Sequence, residues 1–122
     1  MAKHLDTGKH GEEIAVEHLR QLGFEILETN WRNRRLEVDI IAREENVLVF
    51  VEVKTRSYDF FGRPETFVSP AKERRLAAAA AAFMEQAGHD WAMRFDVISV
   101  LKKKDGGFEV ELIRDAFFPG IE

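Results

Sequence analysis

A chain of 122 residues with 45% hydrophobic and 33% charged residues reads as one globular domain over 1–122, which excludes a disordered, fibrous or membrane-embedded protein. Zero cysteines exclude disulfides and thiolate zinc sites, the scattered His4, His10, His18 and His89 lack a short ligand spacing, and no apolar run suits a signal peptide or membrane helix, so a cytoplasmic protein is expected. The net charge of -4 argues against a general polyanion coat, yet residues 32–75 hold ten of the 18 Lys and Arg against eight of the 22 Asp and Glu.

The spacing of Ile14, Ala15, Leu19 and Leu22 predicts an amphipathic helix over residues 8–22, stopped by Gly23. Phe24 to Asn30 follows as a strand near an edge, and Trp31 to Arg35 as a polar, basic turn. Glu37–Arg43 and Val47–Thr55, rich in Val and Ile, form two strands joined by a hairpin at Glu44-Glu45-Asn46. Residues 56–68, with Tyr58, Phe60, Phe61, Gly62 and Pro64, make a long loop expected to face substrate. Ser69-Pro70 caps and opens a second helix that runs to about Ala87, with Gly88 as its stop and Leu76, Ala79, Ala80 and Phe83 on its inward side. Met93–Leu101 and Phe108–Arg114 are the last strands, paired through Asp105-Gly106-Gly107, and Phe117-Phe118-Pro119 a packed tail. A helical crossover makes the third and fourth strands parallel, so the expected fold is α/β: a mixed five-stranded sheet flanked by helices.

In Val47 to Lys54 the side chains alternate between faces, which sets Glu52 and Lys54 on the apolar face of Leu48 and Phe50. Charges ending a core face are costly unless paired. With Glu45 and Asn46 as a two-residue loop, Glu44 pairs with Val47, and the register sets Asp39 opposite Glu52 and Glu37 opposite Lys54. Two carboxylates with Cβ atoms roughly 5 Å apart would share one divalent cation, Mg²⁺ or Mn²⁺, and Lys54 would assist a water beside it. Glu12 lies at the edge of the first helix's apolar stripe and is a third candidate ligand, whereas Glu13 and Glu17 point away. A structural ion-pair network is the competing explanation for Asp39, Glu52 and Lys54, and the macrodipole alone would favour Glu12 in a first turn. Glu37 reads as a further ligand or as the neutralising partner of Lys54, with the partner role favoured, and Arg94 with Asp96 as an internal salt bridge in preference to a catalytic pair. Lys72 points along the buried stripe toward the sheet as a phosphate contact, joined by Arg35, Arg56 and Arg75 as nucleic-acid backbone contacts.

Asp39 followed by Glu52-Val53-Lys54 resembles the core motif of the restriction-endonuclease-like and Holliday junction resolvase-like nuclease superfamily. Over residues 8–100 the chain looks like the YraN-like family of small bacterial proteins. That likeness is carried by Gly8, Gly11-Glu12 with Ala15, Asn30-Trp31-Arg32, Glu37 to Ala42, Val49 to Arg56, Phe61-Gly62, Lys72 and Arg94 to Val97. The resemblance implies that Asp39, Glu52 and Glu12 bind metal and Lys54 assists the water. Leu36 departs from it, standing where a glycine is expected. The leading expectation is a Mg²⁺- or Mn²⁺-dependent endonuclease cutting DNA, on branched or irregular structures, with a homodimer required if both strands are cut symmetrically. The alternatives are a nucleic-acid-binding module that keeps this fold and cuts nothing, and a protein-interaction scaffold.

Overall fold

The computed structural model describes residues 3–59, 68–89 and 92–118. Helix α1 (Lys3–Gln21) is followed by strands β1 (Glu25–Asn33), β2 (Leu36–Glu44) and β3 (Val47–Ser57), helix α2 (Pro70–Ala87), and strands β4 (Met93–Lys102) and β5 (Phe108–Phe117). The sheet keeps sequence order, β1-β2-β3-β4-β5. Every pair is antiparallel except β3 with β4, which the α2 crossover makes parallel. The α/β class, the five-stranded mixed sheet and the flanking helices are those expected.

The helices cover opposite faces. Ala15 and Leu19 of α1, with Phe24, close a core over Ile40, Ala42, Val49, Val51, Ile98 and Val100. Leu76, Ala79 and Ala80 of α2 close the other over Val38, Ile41, Leu48, Phe50, Phe95 and Val97. The alanines explain why α2 lies close: small side chains leave room for Trp31 and Phe83 to meet edge to face at 5.5 Å. Ser69 caps α2 by accepting from the Lys72 N–H at 3.2 Å, and Gly88 ends it at φ 68, as the local chemistry required.

Several boundaries differ from expectation. The first helix starts at Lys3, because the segment before Gly8 holds no proline and an internal glycine only weakens a helix. The basic turn shrinks to Arg34-Arg35, since Trp31 is claimed by the α2 core and its strand pairing with Val38 extends β1 to Asn33. The strand β3 runs to Ser57 on its parallel ladder with β4, which shortens the loop; Phe60, Phe61, Gly62, Pro64 and Phe67 lie outside the described residues. Phe117 is strand rather than tail, stacked on Phe95 at 5.1 Å, while Phe118 is exposed and Pro119 lies outside the described residues.

Candidate active site

The β2–β3 hairpin closes as its loop length demands, with Glu44 opposite Val47. Its backbone ladder stops at Ile40 opposite Val51, one step before Asp39. There the strands part, and Asp39 Oδ2 accepts the Val53 N–H at 2.8 Å, a side chain standing in for the missing ladder carbonyl. The pleat also resets at this residue: Val38 and Ile41 face α2, whereas Ile40 and Ala42 face α1. On the other side, Asn30 of β1 takes a left-handed φ of 51 between the Thr29–Ile40 and Trp31–Val38 pairs. Asp39 therefore stands at the split between β2 and β3, where it reaches the Val53 N–H.

Glu52 is only 3% exposed and belongs to the α2 face with Phe50. A buried carboxylate needs partners, and Glu52 Oε2 has two: Lys54 Nζ at 3.3 Å and Lys72 Nζ at 3.1 Å. The parallel ladder fixes this end of β3 by setting Glu52 beside Val97 and Lys54 beside Ser99. Lys72 arrives from the first turn of α2, the inward placement its helical phase indicated.

Asp39 and Glu52 come together, although their strands do not pair there. Burial, then the Glu52 charge, a side-chain hydrogen bond with Glu52 and the Glu12 charge push the Asp39 carboxyl from 3.8 up to about 7, against the Val53 N–H that favours its anion. Glu12 is half-buried on α1 and acts on Asp39 across a cleft of about 360 Å³ lined by Glu12, Glu13, Glu17, Arg20, Asn30 and Asp39. Gly11 makes that approach possible: a Cβ there would lie 2.2 Å from Thr55 Oγ1, so at this point α1 can come this close to β3 only through a glycine. Among the described residues no group of three or more His, Cys, Asp or Glu side chains forms a ready cage for a metal ion. The site gathers two adjoining carboxylates, with a third across the cleft.

Glu37 does not take the place expected of it. It meets Arg32 at 3.3 Å on the exposed surface and is not the partner of Lys54, because β2 and β3 have separated before reaching it. Arg35 is exposed in the β1–β2 turn, Arg75 exposed on α2, and Arg56 half-buried at the end of β3 with its Nη1 on the Thr55 carbonyl at 2.9 Å. The structure does not bring these three arginines to the carboxylates. Sequence reasoning missed the Lys72–Glu52 pair and the close packing of Gly11. A lysine in the first turn of a helix, in phase with a buried stripe, was the signal for the former.

Arg94 and Asp96 form the expected salt bridge, with Nε to Oδ1 at 2.9 Å and Nη2 to Oδ2 at 3.1 Å. Glu44 joins it by binding Arg94 and also Arg114, at 2.7 Å, and both guanidinium groups lie within 6 Å of the Phe24 ring, at 5.8 and 5.6 Å. Asp96 further accepts the Asp115 N–H at 3.1 Å where the β4–β5 ladder bulges.

The model of a family described as uncharacterised protein family UPF0102 matches residues 11–100, which contain all of Glu12, Asp39, Glu52, Lys54 and Lys72. The chain is 48% identical over 118 residues to the UPF0102 protein of Flavobacterium psychrophilum, covering 97% of this chain and 98% of that one. It is 44% identical to the counterpart from Bacteroides thetaiotaomicron, covering 99% of each chain. A more distant counterpart from Rhodococcus jostii is 42% identical, covering 96% of this chain and all of its own length, 100%. With a match over most of its length and relatives of its own size, the chain belongs to the UPF0102 family.

Proposed function

We propose that this protein is a Mg²⁺- or Mn²⁺-dependent endonuclease with a restriction-endonuclease-like core, cutting DNA phosphodiester bonds on branched or irregular structures. One observation carries the reading: Asp39 and Glu52 meet where β2 and β3 split, and two lysines converge on Glu52. Like charges brought together at a site shielded from water are costly without a function to keep them. Hard carboxylate oxygens from two residues suit a cation that keeps several of its waters and takes a phosphate oxygen, so a closed cage is not required. Asp39 and Glu52 would hold it, and Glu12 would act across the cleft through water. A bound dication would supply Lewis-acid polarisation of the phosphodiester and ease the ionisation of a water. Lys54 is held by Glu52 with its ammonium toward the same point, where it neutralises charge developing on the phosphorus oxygens. Arg35, Arg56, Lys72 and Arg75 supply backbone contacts.

The test is cleavage of labelled junction, flap, duplex and single-stranded substrates with Mg²⁺ or Mn²⁺. Chelator is expected to abolish cutting, and Glu52→Ala and Lys54→Ala to lower its rate at least about 100-fold. Equal cleavage by the variants overturns the assignment. The pairing of Glu52 with both lysines favours the second reading, a binding module whose charges are satisfied without metal. That reading predicts salt-sensitive nucleic-acid binding, no cutting, and indifference to chelator and to Asp39→Asn.

A further inference from the structure

Lys72 is the third residue of α2, the position where a capping box places Glu or Gln and where the helix dipole disfavours a cation. Its ammonium reaches the very oxygen of Glu52 that Lys54 already meets. Lys54 is tied to Glu52 by its own strand, two residues on, whereas Lys72 is delivered by another element. One carboxylate thus has two cations. Its neighbour Asp39, among the described residues, has carboxylates on both sides, Glu12 and Glu52, and no ion pair. An ammonium and a dication on one carboxylate repel each other strongly where water is scarce.

We propose that Lys72 is a built-in counter-ion that holds Glu52 until dication and substrate arrive together: the phosphodiester draws its ammonium from Glu52 Oε2, and the carboxylate, left with Lys54 as its one ammonium partner among the described residues, takes the dication. The inference rests on the proposed metal-dependent activity and adds to it an order of assembly. The protein alone binds the dication weakly, and a phosphodiester strand raises that affinity. By linkage, the dication raises affinity for the strand by the same factor.

Calorimetric titration of the full chain with Mn²⁺, with and without a cleavage-resistant phosphorothioate oligothymidylate, tests this, the oligonucleotide alone serving as blank. In the wild type the oligonucleotide is expected to tighten Mn²⁺ binding about tenfold. Lys72→Met should bind Mn²⁺ about tenfold tighter without oligonucleotide, with the coupling reduced to near one, and Lys72→Arg should restore wild-type behaviour. Lys72→Gln, which also removes the charge, repeats the measurement should circular dichroism show the methionine variant unfolded. Unchanged or weaker Mn²⁺ binding by the neutral variants overturns the counter-ion role and leaves the metal site standing. No Mn²⁺ binding by any protein, with or without oligonucleotide, overturns the metal site and this inference with it.

Discussion

Asp39 is a residue whose charge the fold tolerates badly. Its carboxyl, raised from 3.8 to about 7 by burial and by Glu52, binds its proton more tightly folded than unfolded. The native state therefore holds the extra proton between those values, and stability falls as pH rises from about 4 through 7. The cost is absent below the lower value and full above the upper. Asp39→Asn keeps an acceptor for the Val53 N–H and discards the charge. At pH 8 without metal, urea denaturation is expected to show this variant more stable by on the order of 1–3 kcal/mol, below the full value of the shift because the group is partly screened by water, and the gain should vanish near pH 4. Mn²⁺ should raise the wild-type Tm and leave that of Asp39→Asn unmoved. A wild type as stable at pH 8 as the amide variant would show that the acids are already compensated.

Helix α1 brings Glu12 to the site, and the contact of Gly11 with Thr55 sets how close it comes. Alanine at 11 adds helix propensity of roughly 1 kcal/mol but drives a methyl into a β-branched side chain fixed in a strand, and such overpacking costs about 1–3 kcal/mol. The clash should win. Gly11→Ala is expected to lower stability and weaken Mn²⁺ binding by moving Glu12, with Thr55→Ala recovering part of both in a double-mutant cycle. Elements were the most legible part of the sequence, because period-two runs of Val and Ile and a Ser-Pro cap are local signals: β2, β3, α2 and the parallel crossover follow from them. The hairpin loop alone correctly paired Glu44 with Val47 and so brought Asp39 near Glu52. What it could not show is that the ladder ends at Ile40, because an acid that replaces a backbone acceptor looks, in sequence, like any strand residue. The Glu37–Lys54 pair failed for that reason. Contacts between distant elements, Lys72 on Glu52 and Gly11 on Thr55, depend on helix placement and had only weak local traces.

Across the whole molecule the same device appears twice with opposite electrostatics. Asp39 accepts a backbone N–H where the β2–β3 ladder opens, and Asp96 accepts one where the β4–β5 ladder bulges. Asp96 is 0% exposed, and burial raises its pKa, but Arg94 grips it with two hydrogen bonds while Glu44 and Arg114 complete a closed network over Phe24. Asp39 sits between two further acids. One aspartate is thus neutralised by guanidinium groups, while the other, among the described residues, has no ion pair and is the one that the proposed function assigns to a cation. Their alanine and amide variants should diverge accordingly. Asp96→Ala strips Arg94 of a buried partner and orphans the Asp115 N–H, so it is expected to lose about 3–5 kcal/mol in urea denaturation. Because the network takes no part in the site, the molecules of that variant that remain folded should bind Mn²⁺ as the wild type does. Asp39→Asn should do the reverse, gaining stability and losing Mn²⁺. If instead Asp96→Ala abolished Mn²⁺ binding while folded, or Asp39→Asn destabilised the chain as much as Asp96→Ala, the assignment of a structural role to one aspartate and a chemical role to the other would be wrong.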